Sequence, residues 1–306
     1  MTCSNAEPEN FDAVLVVGHS YAGPGPATIV NSNGWLARLS SGADLDTDCR
    51  QFNPIGAIGA ACLAVSEAFK RLIAVRPERG EAIDRLQFSF FNYDSGNSNP
   101  GPQLPKLIHC DFVLVGCGAI GSGVTYALSC LPLAGSIDLV DPQVYALENL
   151  GTSVLVCPGD IGIAKAVKCA TLLAKPGLLA TPYVEKVEQY AVRPHAKYKA
   201  VLSALDSVVA RHAVQGHLWP DVSIDGAIGD FQAQVFRHIW TKNDACLQCY
   251  FKEPAIDGDK IAADATGLRL DRIRDQQAVI TDADIEQASA EMKPWLIQRR
   301  NQTICS

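Results

Sequence analysis

Gly116, Gly118 and Gly121 are spaced as GxGxxG, a turn that can cradle a phosphate. Backbone at such a turn approaches an anion closely, and the positive end of the helix that follows favours negative charge. About twenty residues on stands Asp141, an acid placed to hold ribose hydroxyls. NAD and ATP enzymes share this much, so the turn and the acid leave both nucleotides open. What separates them lies between Asp141 and Asp206. A dehydrogenase has no particular need for Asn149-Leu150, nor for the lysine of Gly162-Ile163-Ala164-Lys165. Taken singly, Lys165 reads as a solvated helix lysine, Asn149 as a turn residue and Asp206 as a helix N-cap. Their joint order behind a glycine turn points to function instead.

The elements that must position these residues can be read around them. Phe112, Val113, Leu114 and Val115 form a β-prone run into the glycines, and small and apolar residues continue beyond them at helical spacing. Ile137 to Val140 is a second buried-looking strand, and it ends at Asp141. Ile161 to Ala174 reads as a helix containing Lys165, and 176–182 should break it. Tyr183 to Val187 resembles an edge strand, while Ala200 to Leu205 is a buried one ending at Asp206, ahead of a helix over Val208 to Leu218. Strands then recur at Val222 to Ile228 and Phe231 to Trp240. Thr281 should cap a helix over Asp282 to Met292 that Pro294 ends. The expected fold is α/β, a Rossmann-like and mostly parallel sheet with helices on both faces.

An N-terminal α/β lobe should precede it. Phe11 to Gly18 reads as a strand, and Asn33-Gly34 signals a hairpin between Ala27 to Val30 and Gly34 to Leu39. A helix capped by Asn53 follows, with Pro54 in its first turn and Ile55, Ile58, Cys62, Val65, Phe69 and Leu72 on one stripe. Its alanines and glycines imply close packing against another backbone. Leu86 to Tyr93 is a further strand, and the turn-rich DSGNSNPGPQLP marks a boundary. The expected divisions are 1–105, 106–250 and a partly helical 251–306.

Composition sets the outer limits. The 306 residues carry a net charge of −7 with no dense Lys/Arg run, which disfavours nucleic acid as a partner. No apolar run approaches membrane-spanning length and the start is polar and acidic, so neither a membrane span nor a secretory signal is expected. Eleven cysteines, an odd number, fit intracellular thiols better than a disulfide framework, which makes a cytoplasmic location the expectation. His19, His109, His195, His212 and His217 show no spacing that signals a metal cluster or triad.

With these residues in this order, the chain resembles the ubiquitin-activating enzymes and the bacterial ThiF-type adenylyltransferases. Their pattern joins a GxGxxG turn, a strand ending in Asp, an Asn-Leu pair, a Gly-x-x-Lys helix start, and a later Asp followed by Arg. Here these are Gly116, Gly118 and Gly121, then Asp141, Asn149-Leu150, Gly162 with Lys165, and Asp206 with Arg211. The resemblance, over roughly residues 107 to 250, implies ATP as the nucleotide. The glycines would approach its phosphates, Asp141 would hold the ribose, Asn149 and Lys165 would contact phosphates, and Asp206 would bind Mg2+. It further implies attack of a carboxylate on the α-phosphorus, releasing pyrophosphate. The carboxylate would be the C-terminus of a ubiquitin-like or sulfur-carrier protein, and dimerisation is common in the family. The extra N-terminal lobe hints at a bacterial ubiquitin-like conjugation system.

Cys246 and Cys249 lie where many members carry half a zinc site, but a tetrahedral site needs four donors and only Cys305 follows them. His238 or an upstream residue is the alternative. Cys305 and Cys157 are the thioester candidates by loop position. Thr152 and Ser153 replace the Arg and Gln usual after Asn-Leu-x, and Gln143 replaces a second acid after Asp141. Arg50, Arg71 or a partner's arginine is then expected to compensate. Two other functions stay in view: a catalytically impaired nucleotide-binding subunit, and an NAD-dependent oxidoreductase.

Overall fold

The computed structural model describes residues 12–23, 27–73, 83–96, 98–193, 198–229, 232–239, 242, 245–252, 258–275 and 277–304. The chain divides into two compact units. One comprises 1–110, 124–135 and 175–178, and the other 111–123, 136–174 and 179–306.

The first unit carries a four-stranded sheet in the order β1 (Val14–Val17), β2 (Ala27–Asn33), β3 (Leu36–Ser40), β4 (Arg85–Ser89). β1 and β2 are parallel and the other pairs antiparallel. The expected hairpin turns at Gly34-Trp35, with Asn33 opposite Leu36 and Gly34 at φ +60°, a conformation glycine adopts without strain. Helix α1 (Pro54–Ile73) begins where its capping residue demands, the Asn53 side chain accepting the Ile55 amide at 2.9 Å.

The stripe expected to be buried on α1 is not. Cys62, Val65, Phe69 and Leu72 are exposed, and the helix buries Gly56, Ala60, Ala64 and Glu67 instead. Close approach to the sheet explains the reversal. A Cβ on Gly56 would come within 2.0 Å of the Gly34 carbonyl oxygen, so no side chain fits at that position.

Six strands form the second sheet: β5 (Ile108–Val115), β6 (Leu133–Val140), β7 (Leu178–Tyr183), β8 (Ala200–Ser203), β9 (Val222–Gly229) and β10 (Gln232–Ile239). Their order is β10-β9-β8-β5-β6-β7. β8 is parallel to both β5 and β9, and β10 closes the edge antiparallel to β9. The flanking helices are α2 (Ala119–Ser129), α3 (Lys165–Leu173), α4 (Val187–Ala191), α5 (Val208–His217) and α6 (Leu247–Tyr250). This is the expected mixed α/β, mostly parallel architecture. Val113, Val115, Val140 and Val201 from three central strands share one core with Val214 and Leu218.

The helix ends before 176–182 as expected, and β7 runs through most of that stretch, starting five residues earlier than the expected edge strand. Pro182 is tolerated because β7 is the last strand of the sheet, where a missing amide donor breaks no ladder. Helix α3 starts four residues later than expected, since Gly162 sits at φ +87° and Ala164 is extended.

Four short helices follow: α7 (Gly258–Thr266), α8 (Leu270–Arg274), α9 (Asp282–Gln287) and α10 (Lys293–Gln298). Thr281 caps α9 as expected. Pro294, however, opens α10 instead of ending a longer helix, a position where its missing N–H is harmless.

Candidate functional site

The chain leaves β5, builds β6 and β7 to one side, then returns to lay β8 against the other side of β5. Strand order reverses there, and in such sheets the ligand crevice lies outside the carboxyl ends of the two diverging strands. The glycine turn follows β5 and Asp206 follows β8.

The three glycines stand in three different environments. Gly116 holds φ +89°, and a Cβ there would lie 2.6 Å from the Ala204 carbonyl oxygen. Gly121 lies against the turn itself, its Cβ position 2.0 Å from the Gly116 carbonyl oxygen. Packing therefore requires both. Around Gly118 no atom lies within 4 Å of the Cβ position, so the fold does not require glycine there. A glycine facing open space at the tip of such a turn is suited to close approach by a ligand.

Asp141 is 5% exposed, and its two oxygens are already engaged. One accepts the Cys117 amide and the other the Gln143 amide, each at 2.7 Å. The carboxylate thus ties the glycine turn to the end of β6. Burial raises its pKa above the ordinary carboxylate value, the two amides and the Lys165 charge oppose that rise, and the Asp206 charge adds to it. Asp141 senses both Lys165 and Asp206, so the three belong to one electrostatic neighbourhood.

Lys165 is not a solvated helix lysine. It is 7% exposed, its ammonium donates to Gln143 Oε1 at 2.8 Å, and its amide donates to the Gln143 carbonyl at 2.9 Å. The Tyr145 ring centroid is 5.9 Å away. Asp206 is exposed, and the helix cap the sequence assigned to it falls instead to Ser207, whose hydroxyl accepts the Ala210 amide. Its carboxylate is left free of that structural task.

Asn149 combines a turn role with a spare donor. Its Oδ1 accepts the Ala146 amide at 2.9 Å within the short 3-10 helix Leu147–Gly151, and its Nδ2 bonds no described residue. Ser153, where an amide was expected, is buried, and its hydroxyl has no hydrogen-bond partner among the described residues. Arg211 is turned away from any phosphate role. Its Nε meets both Asp225 oxygens at 3.1 and 3.2 Å, it donates to the Leu205 carbonyl, and it lies 4.5 Å from the Phe251 ring centroid. It braces the backbone beside Asp206. Arg50 pairs with Asp48 and Arg71 bonds Ser41, both inside the first unit.

Cys246 and Cys249 bring their sulfurs to 3.6 Å. Among the described residues no group of three or more metal-ligating side chains gathers, so these two thiols supply half the donors a structural zinc needs. Cys305 lies outside the described residues. Cys157 is exposed and its thiol donates to Asp160, whose carboxyl is held down at about 2 by Lys168 first and then by Cys157.

Gln143 is the residue that sequence reading undervalued. It appeared only as a missing acid, although its position two residues past the strand-end Asp, on the loop facing the Gly-x-x-Lys start, was the available signal.

The ThiF family model matches residues 84–271, and a model for the BilD N-terminal domain matches residues 2–85. The Nedd8-activating enzyme E1 catalytic subunit of Drosophila melanogaster is 28% identical over 158 residues, 46% of this chain and 34% of that enzyme. Its Schizosaccharomyces pombe counterpart is 27% identical over 132 residues, covering 42% and 29%. The chain therefore spans about a third of these relatives' length. Among solved structures, E. coli MccB with AMPCPP and selenomethionine MccA shows 17% identity and a TM-score of 0.36, covering 44% of this chain and 42% of that one.

Proposed function

We propose that this chain, which belongs to the ThiF family, binds ATP at the crevice between β5 and β8 and adenylates the C-terminal carboxylate of a ubiquitin-like or sulfur-carrier protein. The observation that carries the reading is the set of environments around the three glycines. Two are required by the turn, and the one left unconstrained faces open space beside Asp141, Lys165 and Asp206.

In this reading Asp141 orients the ribose, which its anchored carboxylate suits because two backbone amides hold it in place. Lys165 and the Asn149 Nδ2 contact phosphate oxygens. Asp206, exposed at a strand end, is the carboxylate that would hold Mg2+ together with those oxygens, as Mg2+ usually shares one or two carboxylates with substrate phosphates. That ion would supply neutralisation of phosphate charge. The protein's own share of catalysis is positioning and preorganised charge, which suits an attack of carboxylate oxygen on the α-phosphorus with pyrophosphate leaving. Gln143 and Thr152 stand where the family pattern has an acid and an arginine, so the two departures offset each other in net charge.

The Nedd8-activating relatives support a ubiquitin-like substrate, and a bacterial ubiquitin-like conjugation system is the proposed setting. Cys157 and Cys305 remain the proposed thioester carriers, and a homodimer the proposed assembly. Zinc at Cys246 and Cys249 requires two donors from beyond the described residues. The second reading, a nucleotide-binding subunit without turnover, is favoured by Thr152 and Ser153.

Partner-dependent exchange of labelled pyrophosphate into ATP tests the proposal. Lys165→Ala and Asp206→Ala should each lower the rate about a hundredfold or more. Unchanged exchange in both variants overturns the assigned site, and ATP binding with no exchange by the wild type selects the second reading.

A further inference from the structure

Lys165 is a buried cation whose hydrogen-bonding partner is a neutral side chain. Its ammonium donates to the Gln143 amide oxygen, and it forms no ion pair with a carboxylate among the described residues. The nearby acid, Asp141, accepts two backbone amides and makes no hydrogen bond to Lys165 among the described residues, its charge reaching the lysine only through space. Burying a charge without a directly bonded counter-ion is unfavourable, and a through-space partner offsets that only in part. An anion entering the crevice would supply a carboxylate-like partner in direct contact.

Gln143 is built to hold that lysine without neutralising it. Its own amide is fastened to Asp141, its carbonyl receives the Lys165 amide, and its side chain receives the Lys165 ammonium. One residue thus links the strand-end acid, the start of α3 and the charge that α3 carries. A carboxylate at this position would reach the same ammonium, form an ion pair in the empty site, and have to be displaced before phosphate could take its place. An amide oxygen gives way more easily, because exchanging a neutral acceptor for a charged one strengthens the hydrogen bond.

We propose that Gln143 is a positioning residue that presents Lys165 to the nucleotide's phosphates as a cation free of any direct ion pair, so that the site selects for the anionic part of its ligand. This inference rests on the ATP-binding reading above and adds a residue to it.

Titration calorimetry with ATP and with uncharged adenosine tests it on the full chain, using Gln143→Glu and the nearly isosteric, neutral Gln143→Met. The wild type should bind ATP more tightly than adenosine. Gln143→Glu should weaken ATP binding about tenfold or more, because an ion pair must be broken first, and leave adenosine binding unchanged. Gln143→Met should weaken ATP binding only about threefold, since Lys165 loses its anchor and keeps its charge. The inference is overturned if Gln143→Glu binds ATP as the wild type does, if Gln143→Met loses as much as Gln143→Glu, or if both ligands weaken in parallel as a misfolded loop would produce. A wild-type chain that binds no ATP overturns the nucleotide reading itself and the role of Gln143 with it.

Discussion

Beneath α5, Arg211 is 6% exposed, and at the start of α3, Lys165 is 7% exposed, yet the two regions treat a buried positive charge in opposite ways. Arg211 faces the Asp225 carboxylate, packs on Phe251 and braces the Leu205 carbonyl, so its charge is used up inside the fold. Lys165 faces an amide. The difference teaches that burial alone does not mark a functional cation. What matters is whether the protein has already bonded a carboxylate directly to it. A closed pair stabilises the scaffold, whereas an open one waits for a ligand.

That contrast can be broken by truncating each cation. Arg211→Ala should destabilise the chain by about 3–5 kcal/mol, because it strands Asp225 as an uncompensated buried charge. Lys165→Ala strands no carboxylate and should leave the denaturation midpoint close to the wild-type value while removing nucleotide-dependent function. Equal losses of stability in the two variants, measured by chemical denaturation, would erase the distinction.

The glycines sharpen the same comparison with a smaller effect. Gly121→Ala forces a Cβ against the Gly116 carbonyl and should cost about 1–3 kcal/mol of stability, the usual range for overpacking. Gly118→Ala meets nothing in the fold and should be thermodynamically quiet, yet it should weaken ATP binding through contact with the ligand. A Gly118→Ala chain with lowered stability and full ATP affinity would show that the turn tip serves the fold.

Much of this was legible in the sequence, because the strand, glycine turn and strand-end acid are local patterns whose meaning survives folding. The sheet and the hairpin at Asn33-Gly34 follow from periodicity and turn chemistry alone. Four features were not legible, three of them for a long-range reason. The α1 stripe faces solvent because Gly56 must pass close to a backbone 22 residues away in sequence, a constraint no helical period reveals. Pro182 sits inside β7 because that strand occupies the sheet edge, which only strand order decides. The pairing of Lys165 with Gln143 joins the first residue of α3 to the loop after β6, and Ser207 displaces Asp206 as the α5 cap through a choice between adjacent residues that propensity ranks almost equally.

A Lys165 with no direct ion pair and an open Gly118 together make the site proposed for ATP. Calorimetric titration of the wild-type chain and Lys165→Ala with ATP and NADH tests it most directly. The wild type should bind ATP and not NADH, and the variant should lose ATP affinity about tenfold or more. NADH binding that exceeds ATP binding, or ATP affinity unchanged by removal of the lysine, would contradict it.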